Sequence, residues 1–232
     1  NSKPPASGQV VAYVVDEEAD RVEDEEIPEW VPAEWLSPVM GDSDVSDVYG
    51  AIGVWPAAFV AAEAVMRYAP KVTASWACLE LGCGAGFPSL VAARLDATVY
   101  ALDTEQLTLD LLQTAFDEQG QGRLIPLLGD AEDLPEEPMS SVSLIVVSDL
   151  LYSVELGSSL GTSLAKWLHE KEGRELILTD GGRSGRQAFL QAFKDAYGSP
   201  AFFEDVPVPS WAPQKGDFFD GSATTTVGLL RY

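Results

Sequence analysis

The run Ala77-Cys78-Leu79-Glu80-Leu81 passes directly into Gly82-Cys83-Gly84-Ala85-Gly86 and then Phe87-Pro88, and this junction constrains the fold more than any other stretch. A short run that is apolar on both faces apart from one acid reads as a buried strand. Gly82, Gly84 and Gly86 remove Cβ at alternate positions, so the backbone can turn sharply and a ligand can lie against peptide N–H groups at the start of the next helix. Pro88 suits the first turn of that helix, where its missing N–H costs nothing. The spacing is G-x-G-x-G rather than G-x-G-x-x-G, with Glu80 two residues ahead of the first glycine.

Around this junction, short apolar runs alternate with amphipathic segments. Strands are expected at 76–81, 98–102, 123–128, 142–148 and 175–179, and helices at 88–95, from Thr104 to about 119, 155–170 and 186–197. Strands apolar on both faces and separated by helices predict an α/β fold in which a mostly parallel sheet is covered by helices on both faces. The tail changes character: Phe202–Val206 and Thr224–Tyr232 are β-rich and predict an antiparallel C-terminal hairpin at one sheet edge. Upstream, Gly53-Val54-Trp55-Pro56 leads into an alanine-rich helix over 57–68 that Pro70 stops. Residues 1–47 read as a covering arm, with a β-type run at Val10–Val15 and an acidic segment over 16–26; residues 48–232 read as one domain.

In a sheet of this kind ligands bind beyond the carboxyl ends of the strands, so the residues ending each strand are the candidates. The first strand ends in Glu80, Gly82, Cys83, Gly84 and Gly86. The second ends in Asp103-Thr104, about twenty residues after the glycines, where a carboxylate can accept from two ribose hydroxyls or cap the next helix. The third ends at Asp130-Ala131, where the acid can accept from an adenine amino group and the backbone N–H can meet the ring, or where the two simply turn the chain. The fourth ends in Ser148-Asp149-Leu150-Leu151-Tyr152, which places a carboxylate and a phenol at the mouth of the same region.

The net charge of −23 argues against nucleic-acid binding, because an acidic surface repels phosphate; basic partners fit it better. No run approaches the ~18 apolar residues a membrane span needs, so a water-soluble chain is expected. Cys78 and Cys83 flank a strand and its turn, a poor geometry for a disulfide, so reduced thiols and a cytoplasmic location are expected; a targeting peptide preceding Asn1 would make it organellar. No metal-ligand spacing occurs, and the only histidine, His169, lies late in a polar helix, where a solvated role fits better than that of a base.

Leu79-Glu80-Leu81-Gly82-Cys83-Gly84-Ala85-Gly86, Asp103, Asp130 and Asp149-Leu150-Leu151-Tyr152 together resemble a class I, seven-strand, Rossmann-like S-adenosylmethionine-dependent methyltransferase. The Asp-x-x-Tyr, with Gly53-Val54-Trp55-Pro56-Ala57-Ala58 upstream, is similar to methyltransferase family 16, whose best-known members methylate protein lysines. The resemblance implies S-adenosyl-L-methionine as cofactor, held by Trp55, Glu80, Gly82, Cys83, Gly84, Gly86, Asp103, Thr104, Asp130, Ala131 and Ser148. It implies catalytic roles for Asp149, orienting the incoming amine or cofactor, and Tyr152, walling the channel. It implies a lysine-bearing protein as substrate. The chain departs from the family in carrying Gln113 and Gln119 where asparagines usually follow the ribose acid. Leu178-Thr179-Asp180-Gly181-Gly182-Arg183 is similar to a neighbouring branch of small-molecule, nicotinamide-type N-methyltransferases, and a non-catalytic methyltransferase-like subunit is the third reading.

Overall fold

The computed structural model describes residues 54–69, 76–119, 122–134, 136–212 and 226–232. The arm over 1–47, its expected strand and acidic segment, Gly53 and Pro70 lie outside these residues. The strands are β1 (Ala77–Leu81), β2 (Thr98–Asp103), β3 (Arg123–Leu128), β4 (Leu144–Ser148), β5 (Glu175–Asp180), β6 (Phe202–Pro207) and β7 (Thr226–Arg231). The helices are α1 (Pro56–Tyr68), α2 (Phe87–Arg94), α3 (Gln106–Gln119), α4 (Glu136–Met139), α5 (Val154–Glu170) and α6 (Arg186–Tyr197).

They form one seven-stranded sheet in the order β3-β2-β1-β4-β5-β7-β6. The first five strands are parallel, and β7 runs antiparallel to both β5 and β6. The expected sheet and its closing hairpin are therefore both present. Because the chain leaves β1 toward β2 and β3 and returns to β4 on β1's other side, the switch point lies between the tips of β1 and β4. Pro126 lies in β3, an edge strand, where a missing N–H breaks no interior ladder.

Alternation along each strand sorts the core into two layers. Cys78, Val99, Ala101, Leu144 and Val146 pack with Val65 of α1, Leu90 of α2 and Leu109 and Leu112 of α3. Leu79, Leu81, Ile145, Val147 and Leu178 pack on the opposite face with Leu160, Leu164 and Trp167 of α5 and Phe189 and Phe193 of α6. On that face α5 and α6 approach backbone to backbone: a Cβ on Gly161 would stand 2.6 Å from the Phe189 carbonyl oxygen.

Two boundaries differ from the sequence-based expectation in ways that bear on the site. The helix expected from Thr104 begins at Gln106, because Asp103 Oδ1 accepts the Glu105 N–H at 3.1 Å and holds 103–105 in a turn. The short helix α4, four residues with a proline inside, carries no periodic signal that a sequence reading could detect.

Candidate active site

The tips of β1 and β4 and the start of α1 line one open hollow, about 390 Å³ counted out into its mouth. Its walls are Val54, Trp55, Ala58, Glu80, Gly82, Cys83, Gly84, Ala85, Gly86, Phe87, Ser148 and Tyr152. Eight of the expected site residues thus share one hollow: Trp55, Glu80, Gly82, Cys83, Gly84, Gly86, Ser148 and Tyr152. Val54, Ala58, Ala85 and Phe87 were missed; being apolar or featureless, they carry no chemical signal in a sequence. Phe87 is fixed from behind by Phe59 and Trp211, with ring centroids 5.2 and 6.2 Å away.

The turn after β1 depends on glycine. Gly82, Gly84 and Gly86 have φ of 60°, 50° and 63°, the left-handed region that L side chains rarely adopt. Its amides are not bare, however, which corrects the sequence-based picture. Cys83 N–H donates to the Leu102 carbonyl at 2.9 Å, Gly86 N–H to the Cys83 carbonyl at 2.7 Å, and Gly84 N–H to Asp103 Oδ2 at 2.9 Å. Backbone donors demand partners, and here β2 supplies two of them and the turn itself the third. What the glycines offer a ligand is close approach to backbone without Cβ, more than free donors.

Glu80 is 1 % exposed and points to the α2 face, where Ser89 donates to its Oε2 from both N–H and Oγ–H. Burial, the largest influence, pushes its carboxyl up to about 8 against the pull of the Ser89 hydrogen bonds, and nearby Asp103 adds to the rise. Glu80 thus clamps β1 to the first turn of α2 while still forming part of the cavity wall. Cys78 and Cys83 are free and buried, and burial pushes both thiols well above their ordinary range.

Asp103 is not among the cavity's walls and does not cap α3 as weighed; Oδ2 ties the glycine turn, and Oδ1 ties Glu105 in a turn just ahead of that helix. Each oxygen keeps acceptor capacity for a ligand hydroxyl. Thr104 and Asp130 are exposed, and Asp130 Oδ1 accepts the Glu132 N–H at 2.9 Å in a turn of its own. Ala131 is buried among Leu79, Leu81, Leu102 and their neighbours. Thr104, Asp130 and Ala131 are not among the cavity's walls.

Asp149 departs furthest from expectation. It does not line the cavity and does not cap α5, whose N-cap is Ser153 accepting the Leu156 N–H. It sits at φ 56°, 7 % exposed, with Oδ1 accepting the Gly181 N–H at 2.9 Å and Oδ2 paired with Arg183 Nη2 at 2.6 Å. The Arg183 guanidinium lies 4.8 Å from the Tyr152 ring centroid and 6.0 Å from that of Trp55. Tyr152 is 55 % exposed at the cavity mouth, so it is a wall rather than a core aromatic. Arg183 was missed as a site residue although its segment was noticed. The signal was register: Ser148 pairs with Thr179, so the loops after β4 and β5 emerge side by side. His169 is exposed and bonded to the Tyr197 carbonyl at 3.0 Å, away from the cavity walls.

The profile of the family described as lysine methyltransferase matches residues 43–196. Among curated proteins, ribosomal RNA small subunit methyltransferase G of Novosphingobium aromaticivorans is 28% identical over 120 residues, 51% of this chain and 52% of that protein. The chain therefore spans about half the length of the curated relative it matches. An S-adenosylmethionine-dependent methyltransferase of Agrobacterium tumefaciens superposes with a TM-score of 0.55 at 15% identity, over 78% of this chain and 63% of that one. Magnesium protoporphyrin IX methyltransferase of Synechocystis PCC 6803, solved with bound S-adenosylmethionine, gives 0.53 at 18% identity over 85% of this chain and 88% of that one. At such identities the two structures speak for the fold alone.

Proposed function

Because this chain belongs to the family described as lysine methyltransferase, we propose that it is an S-adenosylmethionine-dependent N-methyltransferase acting on a lysine side chain of another protein. The observation that carries this reading is the cavity itself, where a Cβ-free turn and aromatic walls meet at the sheet's switch point, with the acid-bearing tip of β2 tied to that turn beside it. The residues fit the cofactor. Asp103 retains lone pairs for ribose hydroxyls, and Gly82 to Gly86 admit close approach. Trp55, Glu80, Gly82, Cys83, Gly84, Gly86, Asp103 and Ser148 are the residues that would hold it, with Thr104, Asp130 and Ala131 forming the rim beyond the cavity.

Bound S-adenosylmethionine would supply a methyl group on an electrophilic sulfonium. The chain's own task is to present an amine in line with that group and to exclude water. A lysine must be neutral to attack, and the apolar walls Val54, Trp55, Ala58 and Phe87 disfavour its charged form. Asp149, held by Gly181 and Arg183, orients the amine at the mouth and does not accompany it inward. Tyr152 walls the approach.

A protein substrate is supported by the mouth, where Tyr152 is 55% exposed and offers an aromatic face to a large partner, with exposed Val154 two residues on at the start of α5. The net charge of −23 favours a basic protein over a nucleic acid. Incubating the full chain with methyl-labelled S-adenosylmethionine and an extract of its source cells tests the reading. Label on lysine of a protein, read by mass spectrometry of a digest, supports it; label confined to small molecules or to RNA refutes the protein-lysine assignment.

A further inference from the structure

The Asp149 carboxylate is 7 % exposed, locked by the Gly181 N–H, and among the described residues satisfied in charge only by Arg183. A carboxylate so placed needs a cation beside it. The cation it has is unusually replaceable. Arg183's backbone is fixed, since its N–H and that of Gly182 both donate to Asp180, which is 0% exposed and in turn paired with Arg186. Its side chain is 35% exposed, so the guanidinium can leave for solvent while the loop stays in place.

Where the guanidinium lies is also informative. It rests against Tyr152 and faces Trp55, both walls of the cavity, with a carboxylate at its end. Two aromatic faces and an acid are the groups that recognise an alkylammonium. The charged and titratable groups around it are Asp149 from the end of β4, Tyr152 from the following loop and Asp180 from the end of β5.

We propose that Arg183 occupies, from within the chain, the subsite that receives the acceptor's alkylammonium group, and that the two cations exchange on the Asp149 carboxylate. This rests on the lysine-methylation reading and deepens it. A neutral or anionic acceptor cannot take Arg183's place without leaving Asp149 buried and unpaired, so the exchange selects for cations. The arriving lysine displaces the guanidinium at the mouth, then gives up its proton to solvent there and passes inward as the free base while Arg183 returns to Asp149.

The test is a titration of n-butylammonium chloride, the end of a lysine side chain, into the full chain, Arg183→Ala and the Arg183→Ala/Asp149→Asn double variant. The backbone amide resonance of Gly181, which is bonded to Asp149, reports binding. Removing the internal competitor should tighten n-butylammonium binding by roughly tenfold, because the competent fraction rises, and the double variant should lose that gain. An Arg183→Ala variant that binds no better than the full chain, or a double variant that keeps the gain, overturns the proposal. Should Arg183→Ala not fold, the guanidinium resonances of Arg183 in the full chain decide. They should lose their hindered rotation as n-butylammonium is added, n-butanol should have no effect, and unchanged resonances overturn the proposal. S-adenosylhomocysteine binding is measured in parallel. Its absence would refute the methyltransferase reading while leaving the exchange intact, and its presence without exchange would do the reverse.

Discussion

Asp103 Oδ2 accepts the Gly84 N–H at 2.9 Å, so the tip of β2 holds the turn that follows β1. One carboxylate therefore shapes the cradle, and under the proposed function it also accepts from the cofactor's ribose. Asp103→Ala removes both functions, whereas Asp103→Asn keeps an acceptor for Gly84 and loses the charge and the acceptor for Glu105. A hydrogen bond to a charged group contributes about 1.5–3 kcal/mol, so Asp103→Ala should weaken S-adenosylhomocysteine binding by at least about tenfold. Asp103→Asn should fall between it and the unmodified chain. Calorimetry that finds all three affinities equal would contradict the assignment.

Glu80 makes stability depend on pH in a direction opposite to that of an ordinary paired carboxylate. Its folded value, about 8, lies above the ordinary 4.5, so across that window the folded chain holds a proton that the unfolded chain has released. Stability contributed by the buried neutral acid is full below about 4.5 and is lost as pH rises toward 8. Glu80→Gln, a neutral mimic that can still accept from Ser89, should not share this loss. Urea unfolding at intervals between pH 5 and 8 should show the variant gaining on the unmodified chain by up to ~1.4 kcal/mol per pH unit. A constant difference across the range would show that Glu80 does not titrate there.

Asp149→Asn separates orientation of the acceptor from binding of the cofactor. Asparagine tolerates the left-handed φ of 56° and can still accept from Gly181, but it no longer pairs with Arg183. S-adenosylhomocysteine affinity should stay within a few-fold, while turnover on a lysine substrate should fall by about 10²-fold or more, the scale of a lost positioning contact. Unchanged turnover would reduce Asp149 to a structural tie between the loops after β4 and β5.

Salt discriminates between substrate classes. A chain of net charge −23 that captures a basic protein should lose kcat/KM steeply as ionic strength rises from about 0.01 to 0.15 M, over which the Debye length shrinks from roughly 30 to 8 Å. Little salt dependence would favour a small neutral acceptor.

The parts of this molecule legible in the sequence were those set by local pattern. Apolar runs such as Leu144–Ser148 announced buried strands, and Gly82, Gly84 and Gly86 announced a turn in the left-handed region that glycine favours, as their positive φ values bear out. Pairings made across the sheet were not legible. Asp149 and Arg183 are far apart in sequence and meet only because β4 and β5 run in register, Ser148 beside Thr179. Nor could composition reveal that the amides of Cys83, Gly84 and Gly86 are satisfied internally, since Leu102 and Asp103 reach them from a neighbouring strand. Phe87 and Val54 enter the cavity wall by placement alone.

The central claim is that the turn from Gly82 to Gly86 forms a cofactor cradle. It is tested most directly by calorimetric titration of S-adenosylmethionine into the full chain and into Gly84→Val. A β-branched residue cannot adopt φ 50° without strain, so the turn must rearrange. One-to-one binding by the full chain, abolished in a Gly84→Val variant that remains folded by circular dichroism, is the predicted result. Equal binding by both, or none by the full chain, would contradict it.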